Sequence, residues 1–100
     1  MRTLLPSALT ASVSGEIRPG ACVNIEASEE ILTPVGVVGI LGIRQSLADR
    51  RLTLGATLIP GGWTGKPNIQ LINHDEQETV YIRKGDELTN VVYLNQYVAE

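Results

Sequence analysis

Glycine and proline divide this chain into short segments, and that punctuation limits what the chain can fold into. The dividing residues are Pro6, Gly15, Pro19, Gly20, Pro34, Gly55, Pro60, Gly61, Gly62, Gly65, Pro67 and Gly85. The segments between them are rich in Val, Ile, Leu and Thr and tend to alternate in polarity, as strands with one buried face do. In 21–26, for example, Ala21, Val23 and Ile25 are predicted to share one face of a strand, and Cys22, Asn24 and Glu26 are predicted to share the other.

Further strands are predicted over 30–33, 35–41, 52–58, 67–73, 78–83 and 87–94. The segment 35–41 is apolar throughout with two glycines, which predicts a strand buried on both faces. One segment differs, because 45–50 has good helix formers and no β-branched residue, so a short helix is expected over 44–50. A turn at 73–76 is expected to join two antiparallel strands. The chain is therefore predicted to be one all-β domain, a sandwich, jelly roll or barrel with one short helix.

Composition excludes several classes of function. A net charge of -3 gives no basic surface for nucleic acid, so no DNA or RNA partner is expected. Cys22 and His74 are each the single residue of their type, which predicts no disulfide, no multi-cysteine zinc site and no bound metal or other cofactor. No stretch approaches the roughly 18 apolar residues of a membrane helix. The first residues resemble a signal peptide, but Pro6 interrupts their apolar stretch. We therefore expect a cytoplasmic protein with no membrane partner, or a virion protein if the source is viral.

Four stretches, taken in order, resemble the trimeric dUTPase and dCTP deaminase superfamily. Residues 19–34 have a Pro-Gly, a strand, a glutamate pair and a proline, and 42–50 are similar to the family's Gly-Arg-Ser-Ser-Leu-Ala-Arg helix start. Residues 59–65, with Asn73 downstream, resemble its Ile-Asp-Pro-Gly-Trp-Ser-Gly turn, and 85–92 its Gly-Asp-x-Ile-Ala-Gln-Leu-Val motif. The resemblance implies a dUTPase-like jelly roll or β-barrel, a homotrimer, and a nucleotide site between subunits near Arg44.

The departures from the family pattern concern its chemistry. Gln45 and Asp49 stand where the pattern has a serine and an arginine for nucleotide phosphates and catalysis. Pro60 and Gln70 stand where it has carboxylates, and no Asp or Glu occurs between Leu52 and His74. Since no group there could accept a proton from water, the sequence predicts that no catalytic residue is present and that the protein is not an enzyme.

Several single residues have two interpretations. Arg44 is either a ligand for a nucleotide or an ion-pair or interface residue. Trp63 either stacks on a base or packs, over its own strand or across a subunit boundary. Lys66 is either a phosphate contact or an exposed turn residue. The cluster 49–51 is interpreted as a solvated helix end. We expect His74 at a hairpin tip rather than at a metal, and Cys22 as a buried or half-buried structural thiol.

The predicted function follows from a family fold without its catalytic groups. Residues 1–14 are predicted to be an arm that docks on a neighbour, and 15–100 to be the β domain. Interface candidates are Met1, Leu4, Leu5, Val37, Val38, Ile40, Arg44 and Trp63. The first hypothesis is a structural homotrimer within a larger protein assembly, namely a viral capsid decoration (cement) protein. The alternative is a nucleotide-binding regulator or a divergent dUTPase or dCTP deaminase-like enzyme.

Overall fold

The computed structural model describes residues 4–95 and has eleven short strands with one short helix. The strands are β1 (Ala8–Thr10), β2 (Gly15–Ile17), β3 (Cys22–Glu26), β4 (Ile31–Leu32), β5 (Val37–Ile43), β6 (Leu52–Leu54), β7 (Leu58–Ile59), β8 (Thr64–Gly65), β9 (Asn68–Asn73), β10 (Val80–Ile82) and β11 (Glu87–Asn95). The helix α1 spans Gln45–Ala48, within the predicted 44–50. The predicted all-β jelly roll with one short helix is therefore confirmed.

The strands form small antiparallel sheets that enclose one core. The largest has the order β1-β11-β5-β7, and a three-stranded sheet has the order β3-β9-β6. Two pairs complete the fold, β10 with β2 and β4 with β8. The core is almost entirely aliphatic, with Leu9, Ile17, Ile31, Leu52, Ile69, Leu71, Val80, Ile82 and Leu88 among its buried side chains.

The predicted alternation of 21–26 is confirmed. Ile25 is buried and Val23 half-buried, whereas Cys22, Asn24 and Glu26 are exposed. Cys22 is consequently an exposed thiol, so the expectation of a buried one is wrong. Its even-numbered position on β3 places it on the outward face.

Strand β5 differs from its prediction in both position and burial. Val35 is exposed and precedes Gly36, whose φ of 87° turns the chain before the strand begins at Val37. Gly39 and Leu41 are buried, but Ile40 between them and Gly42 after them are exposed. The strand is thus covered on one face within the subunit, and its apolar second face is open.

Two further expectations about connections are wrong. The segment 52–58 is not one strand, because residues 55–57 leave the sheet and β6 and β7 belong to different sheets. The turn at 73–76 links β9 to β10, but β9 pairs with β3 and β6 while β10 pairs with β2. His74 therefore lies between two sheets and not at a hairpin tip.

The N-terminal segment packs on its own chain as far as the structure describes it. Strand β1 pairs with β11, Leu9 and Ala11 are fully buried, and Leu4 forms a bridge with Leu32. The Tyr93 hydroxyl donates a hydrogen bond of 2.6 Å to the Pro6 carbonyl. Residues 4–11 are thus part of the β domain, contrary to the expected arm on a neighbour. Met1 lies outside the described residues.

Candidate functional site

The end of β5 and the start of β11 together form a charged pocket. The backbone N–H of Arg44 bonds to the Leu88 carbonyl at 3.1 Å, which holds the start of α1 against β11. Around this junction lies a pocket of about 270 Å³, lined by Arg44, Ser46, Leu47, Arg50, Asp86 and Glu87. We call this set of residues the arginine pocket. It combines two guanidinium groups, a hydroxyl and two carboxylates.

Arg44 is held in the arginine pocket by two polar partners. Its Nη2 lies 3.0 Å from Glu87 Oε2 and its Nη1 donates to Asn90 Oδ1 at 3.1 Å. Both charged side chains are about half exposed, so the pair contributes little to stability. The ion-pair interpretation of Arg44 is correct for the isolated chain. Because the pair is weakly buried, its guanidinium is available to an incoming anion.

Asp49 does not line the arginine pocket. Its carboxylate accepts a 2.8 Å hydrogen bond from the Gln45 amide on the exposed side of α1. Arg50, the next residue, lines the pocket instead. The sequence interpretation therefore missed Arg50 and Ser46. The charge cluster 49–51 was the sequence signal for a charged site near α1. In a helix of one turn, however, the sequence does not reveal which of these neighbouring side chains lines the pocket.

The turn after β7 borders an apolar cavity. The cavity holds about 180 Å³ and is lined by Leu41, Ala56, Leu58, Ile59, Pro60, Trp63, Pro67 and Asn68. We call it the Trp63 cavity. Its polar side-chain groups are the Asn68 amide and the indole N–H of Trp63, and no charged residue lines it. A cavity of about 150 Å³ accommodates one six-membered ring, so this pocket, which opens to solvent at the exposed Leu58 and Asn68, has room for a single flat ring.

Trp63 packs inward while it lines the Trp63 cavity. It is half-buried and packs against the core, and its ring lies over Gly65. The packing interpretation of Trp63 is therefore confirmed, and the stacking interpretation is compatible with the same position. Lys66 is exposed and lines neither pocket, in agreement with a turn residue.

Gln70 lies on the outward face of β9, apart from both pockets. Its side chain occupies the space over Gly55, where an added Cβ would collide with the Gln70 amide. Asn24 is its cross-strand neighbour on β3. Of the four positions that depart from the family pattern, only Pro60 therefore lines a cavity.

The other titratable groups serve the fold. Backbone N–H groups of Gln77 and Glu78 bond to the Asp75 carboxylate and hold the pKa of Asp75 below its ordinary value. Burial raises the pKa of the Tyr93 phenol. His74 Nε2 lies 2.7 Å from the Thr53 hydroxyl.

Within residues 4–95, no three His, Cys, Asp or Glu side chains come together as a metal cluster. No helix in the same range is long and apolar enough to cross a membrane.

Sequence comparison relates the chain to enzymes that act on a nucleotide. It is 30% identical over 80 residues to the deoxyuridine 5'-triphosphate nucleotidohydrolase of Nocardia farcinica, covering 76% of this chain and 48% of the relative. It is 28% identical over 87 residues to the enzyme of the same name from Cutibacterium acnes, covering 84% of this chain and 57% of the relative. The chain thus spans about half the length of the curated relatives it matches. No family model matches it.

Solved structures show the same fold. The EIAV dUTPase superposes with a TM-score of 0.81 at 17% identity, over 93% of this chain and 77% of that one. A variant of the Staphylococcus bacteriophage 80alpha dUTPase with dUpNHpp gives 0.80 at 17% identity, over 93% of this chain and 80% of that one. The chain is a dUTPase-like all-β protein, and its fold and sequence similarity place it in the dUTPase-like superfamily.

These comparisons overturn the expectation of a non-enzymatic protein. The curated relatives are nucleotidohydrolases, and the structural neighbours are dUTPases. That expectation was wrong because it considered only residues 52–74 and the helix start. The pocket's carboxylates, Asp86 and Glu87, lie outside those two segments, and Arg50 at the end of the helix start was interpreted only as part of a solvated charge cluster.

Proposed function

We propose that this protein is a hydrolase of the dUTPase type, which binds a pyrimidine deoxynucleoside triphosphate through the arginine pocket and the Trp63 cavity. The observation that carries the proposal is the arginine pocket, in which Arg44, Ser46 and Arg50 converge beside two carboxylates. The substrate named for both curated relatives is deoxyuridine 5'-triphosphate, which supports dUTP as the first candidate.

The arginine pocket fits the phosphate end of such a ligand. A guanidinium donates two parallel hydrogen bonds to phosphate oxygens, and a hydroxyl adds a third donor. Arg44 is paired with Glu87 at a half-exposed position, so phosphate oxygens can replace that carboxylate at small cost. The chain has a net charge of -3, but the pocket itself is neutral overall, since its two arginines balance its two carboxylates. The negative charge of the whole chain therefore does not exclude phosphate binding at this place.

The Trp63 cavity fits the base. Its walls are apolar, its volume suits one six-membered ring, and Asn68 offers an amide at its edge. An amide both donates and accepts, which matches the alternating donors and acceptors of a pyrimidine edge. The two pockets share no lining residue, so we propose that one nucleotide reaches both at the boundary between subunits of a homotrimer.

Hydrolysis requires a group that takes a proton from the attacking water. Glu87 forms an ion pair with Arg44, whereas the Oδ2 atom of Asp86 accepts one hydrogen bond of 2.8 Å from the Arg83 N–H. We assign the role of general base to Asp86. The Asp86 carboxylate accepts the proton as the water oxygen forms its bond to the α-phosphorus, and pyrophosphate departs with the electrons of the broken P–O bond.

The test is pyrophosphate release from dUTP and dCTP, compared among four proteins. The wild-type protein should hydrolyse one of the two nucleotides above the no-protein control. Asp86→Asn keeps an acceptor for the Arg83 N–H and should lower kcat by about 10²- to 10⁴-fold. Arg50→Ala should raise KM by about 10- to 100-fold through lost phosphate contacts. Arg18→Ala is the matched control, since this exposed arginine pairs only with Glu16 among the described residues.

The outcomes separate the candidate functions. Nucleotide binding without turnover would replace the hydrolase by a nucleotide-binding regulator. Neither binding nor turnover of dUTP and dCTP would refute the proposal. A capsid-decoration role is not proposed, because the segment that suggested it packs against its own chain where it is described.

A further inference from the structure

Thr33 has a buried hydroxyl that bonds to both ends of the turn after β7. Thr33 is 2% exposed and directly follows β4. Its Oγ1 lies 2.9 Å from the Pro60 carbonyl and 3.1 Å from the Trp63 carbonyl, both acceptors for its proton. The same oxygen accepts a 2.9 Å hydrogen bond from the Trp63 N–H. One side chain therefore contacts three backbone groups of the turn, with its single proton shared between the two carbonyls.

The turn has few other anchors. Residues 60–63 lie between β7 and β8 and belong to no strand. Gly62, with a φ of 76°, donates its N–H to the Pro34 carbonyl at 3.2 Å, and the Thr33 N–H donates to the Trp63 carbonyl at 2.9 Å. All of these contacts lead to residues 33–34. The position of the turn is thus set by the segment that follows β4.

The same turn provides one wall of the Trp63 cavity. Pro60 and Trp63 both line the cavity, and the ring of Trp63 lies over Gly65, its Cη2 atom 3.4 Å from the position of an added Cβ. Gly65 leaves room for the ring on one side, and the Thr33 hydroxyl fixes the Trp63 backbone on the other. The ring is thereby held with the rest of the cavity wall before a ligand enters.

We propose that Thr33 is a positioning residue, whose hydroxyl fixes the Pro60–Trp63 turn so that the Trp63 ring stacks on a flat heterocyclic ring bound in the cavity. The identity of that ring as a pyrimidine base rests on the proposed function. The positioning itself rests only on the hydrogen bonds of Thr33 and the place of Trp63 in the cavity wall. An arrangement formed in advance lowers the ordering cost of binding.

Trp63 is the single tryptophan of the chain, so intrinsic fluorescence reports on this position alone. Thr33→Val preserves shape and removes the hydroxyl, whereas Thr33→Ser keeps the hydroxyl and removes a methyl group. Without ligand, Thr33→Val should shift the Trp63 emission to longer wavelength and increase its quenching by acrylamide, and Thr33→Ser should resemble the wild-type protein. Unchanged emission and quenching in folded Thr33→Val would overturn the positioning role, whatever the function of the protein.

Binding is measured by quenching of Trp63 fluorescence with dUTP and with inorganic tripolyphosphate as competitor. Thr33→Val should raise Kd for dUTP by about tenfold, the effect of losing one or two net hydrogen bonds. Its affinity for tripolyphosphate, which has no base, should not change. An equal loss for both ligands would contradict the inference, because it would indicate general damage.

Ile17→Val is the control for loss of stability. Ile17 is fully buried on β2, which pairs with β10 and not with the β4-β8 pair next to Thr33 and Trp63, and the substitution removes one methyl group. It should leave Kd for dUTP unchanged, and the same loss of affinity in this variant would overturn the proposal. If dUTP and dCTP do not quench wild-type Trp63 while Thr33→Val still alters its emission, the stacking partner is wrong and the positioning role stands. Failure of the proposed function is measured separately, by the absence of both nucleotide binding and turnover.

Discussion

Asn73 and Asp75 show how single polar side chains hold the turn between β9 and β10. Asn73 is buried, and its Nδ2 donates to the carbonyls of Ile17 and Glu78, each at 2.9 Å. Its Oδ1 accepts the Asp75 N–H at 2.9 Å. Asp75 then accepts the N–H groups of Gln77 and Glu78 at 2.8 and 2.9 Å. The Asn-His-Asp sequence thus predicted a turn correctly, although not the strands that it connects.

At this residue scale we predict a pH-dependent contribution of Asp75 to stability. Because its pKa is lowered in the folded protein, the contribution is full above the unfolded pKa of about 3.9 and disappears as the pH falls through the lower folded value. Asp75→Ala should be less stable than wild type at pH 7, by an amount that shrinks below about pH 4. Urea unfolding from pH 7 to pH 2 measures the difference, with Glu76→Ala as the exposed neighbouring control. A difference that stays constant over that range would contradict the prediction.

At the scale of elements, β1 is a structural strand, and Leu9 within it makes a matched pair with Leu5 ahead of it. Leu9 is 0% exposed and Leu5 is 42% exposed. Leu9→Ala should lower the free energy of unfolding by about 2–5 kcal/mol, the cost of removing a buried leucine. Leu5→Ala should change it by less than about 0.5 kcal/mol. Denaturant unfolding of both variants is the measurement, and equal small effects would mean that the segment is not integrated in the fold.

At the scale of the whole molecule, the outward face of the β1-β11-β5-β7 sheet is apolar. Ile40 lies between its cross-strand neighbours Val92 and Leu58, and these two are 58% and 61% exposed. Three adjacent large apolar side chains in water are typical of an interaction surface. We expect this face to form the contact between subunits of the homotrimer.

Light scattering tests that expectation. The wild-type protein should have three times the 10.8 kDa subunit mass, and Val92→Lys should shift the mass toward that of the monomer because a charge would be buried at the contact. Tyr81→Lys is the control, since Tyr81 is equally exposed but lies on β10 in another sheet. A trimer unaffected by Val92→Lys would exclude this face, and a monomeric wild type would exclude the homotrimer.

The sequence by itself determined the class of fold and the two-residue alternation of individual strands. The alternation of β3, the extent of β9 and the short helix after β5 were all visible in residues next to one another. These properties depend on local physics, because side chains of a strand alternate with period two whichever strand lies beside it.

Only the tertiary structure decided which segments meet. It paired β1 with β11 across nearly the whole chain and brought Arg44 and Arg50 to Asp86 and Glu87. It also left the second face of β5 uncovered and placed the Thr33 hydroxyl on the turn before β8. Such contacts join residues far apart in the chain, and the free energy that selects them comes from burying all apolar faces together, which no single segment records.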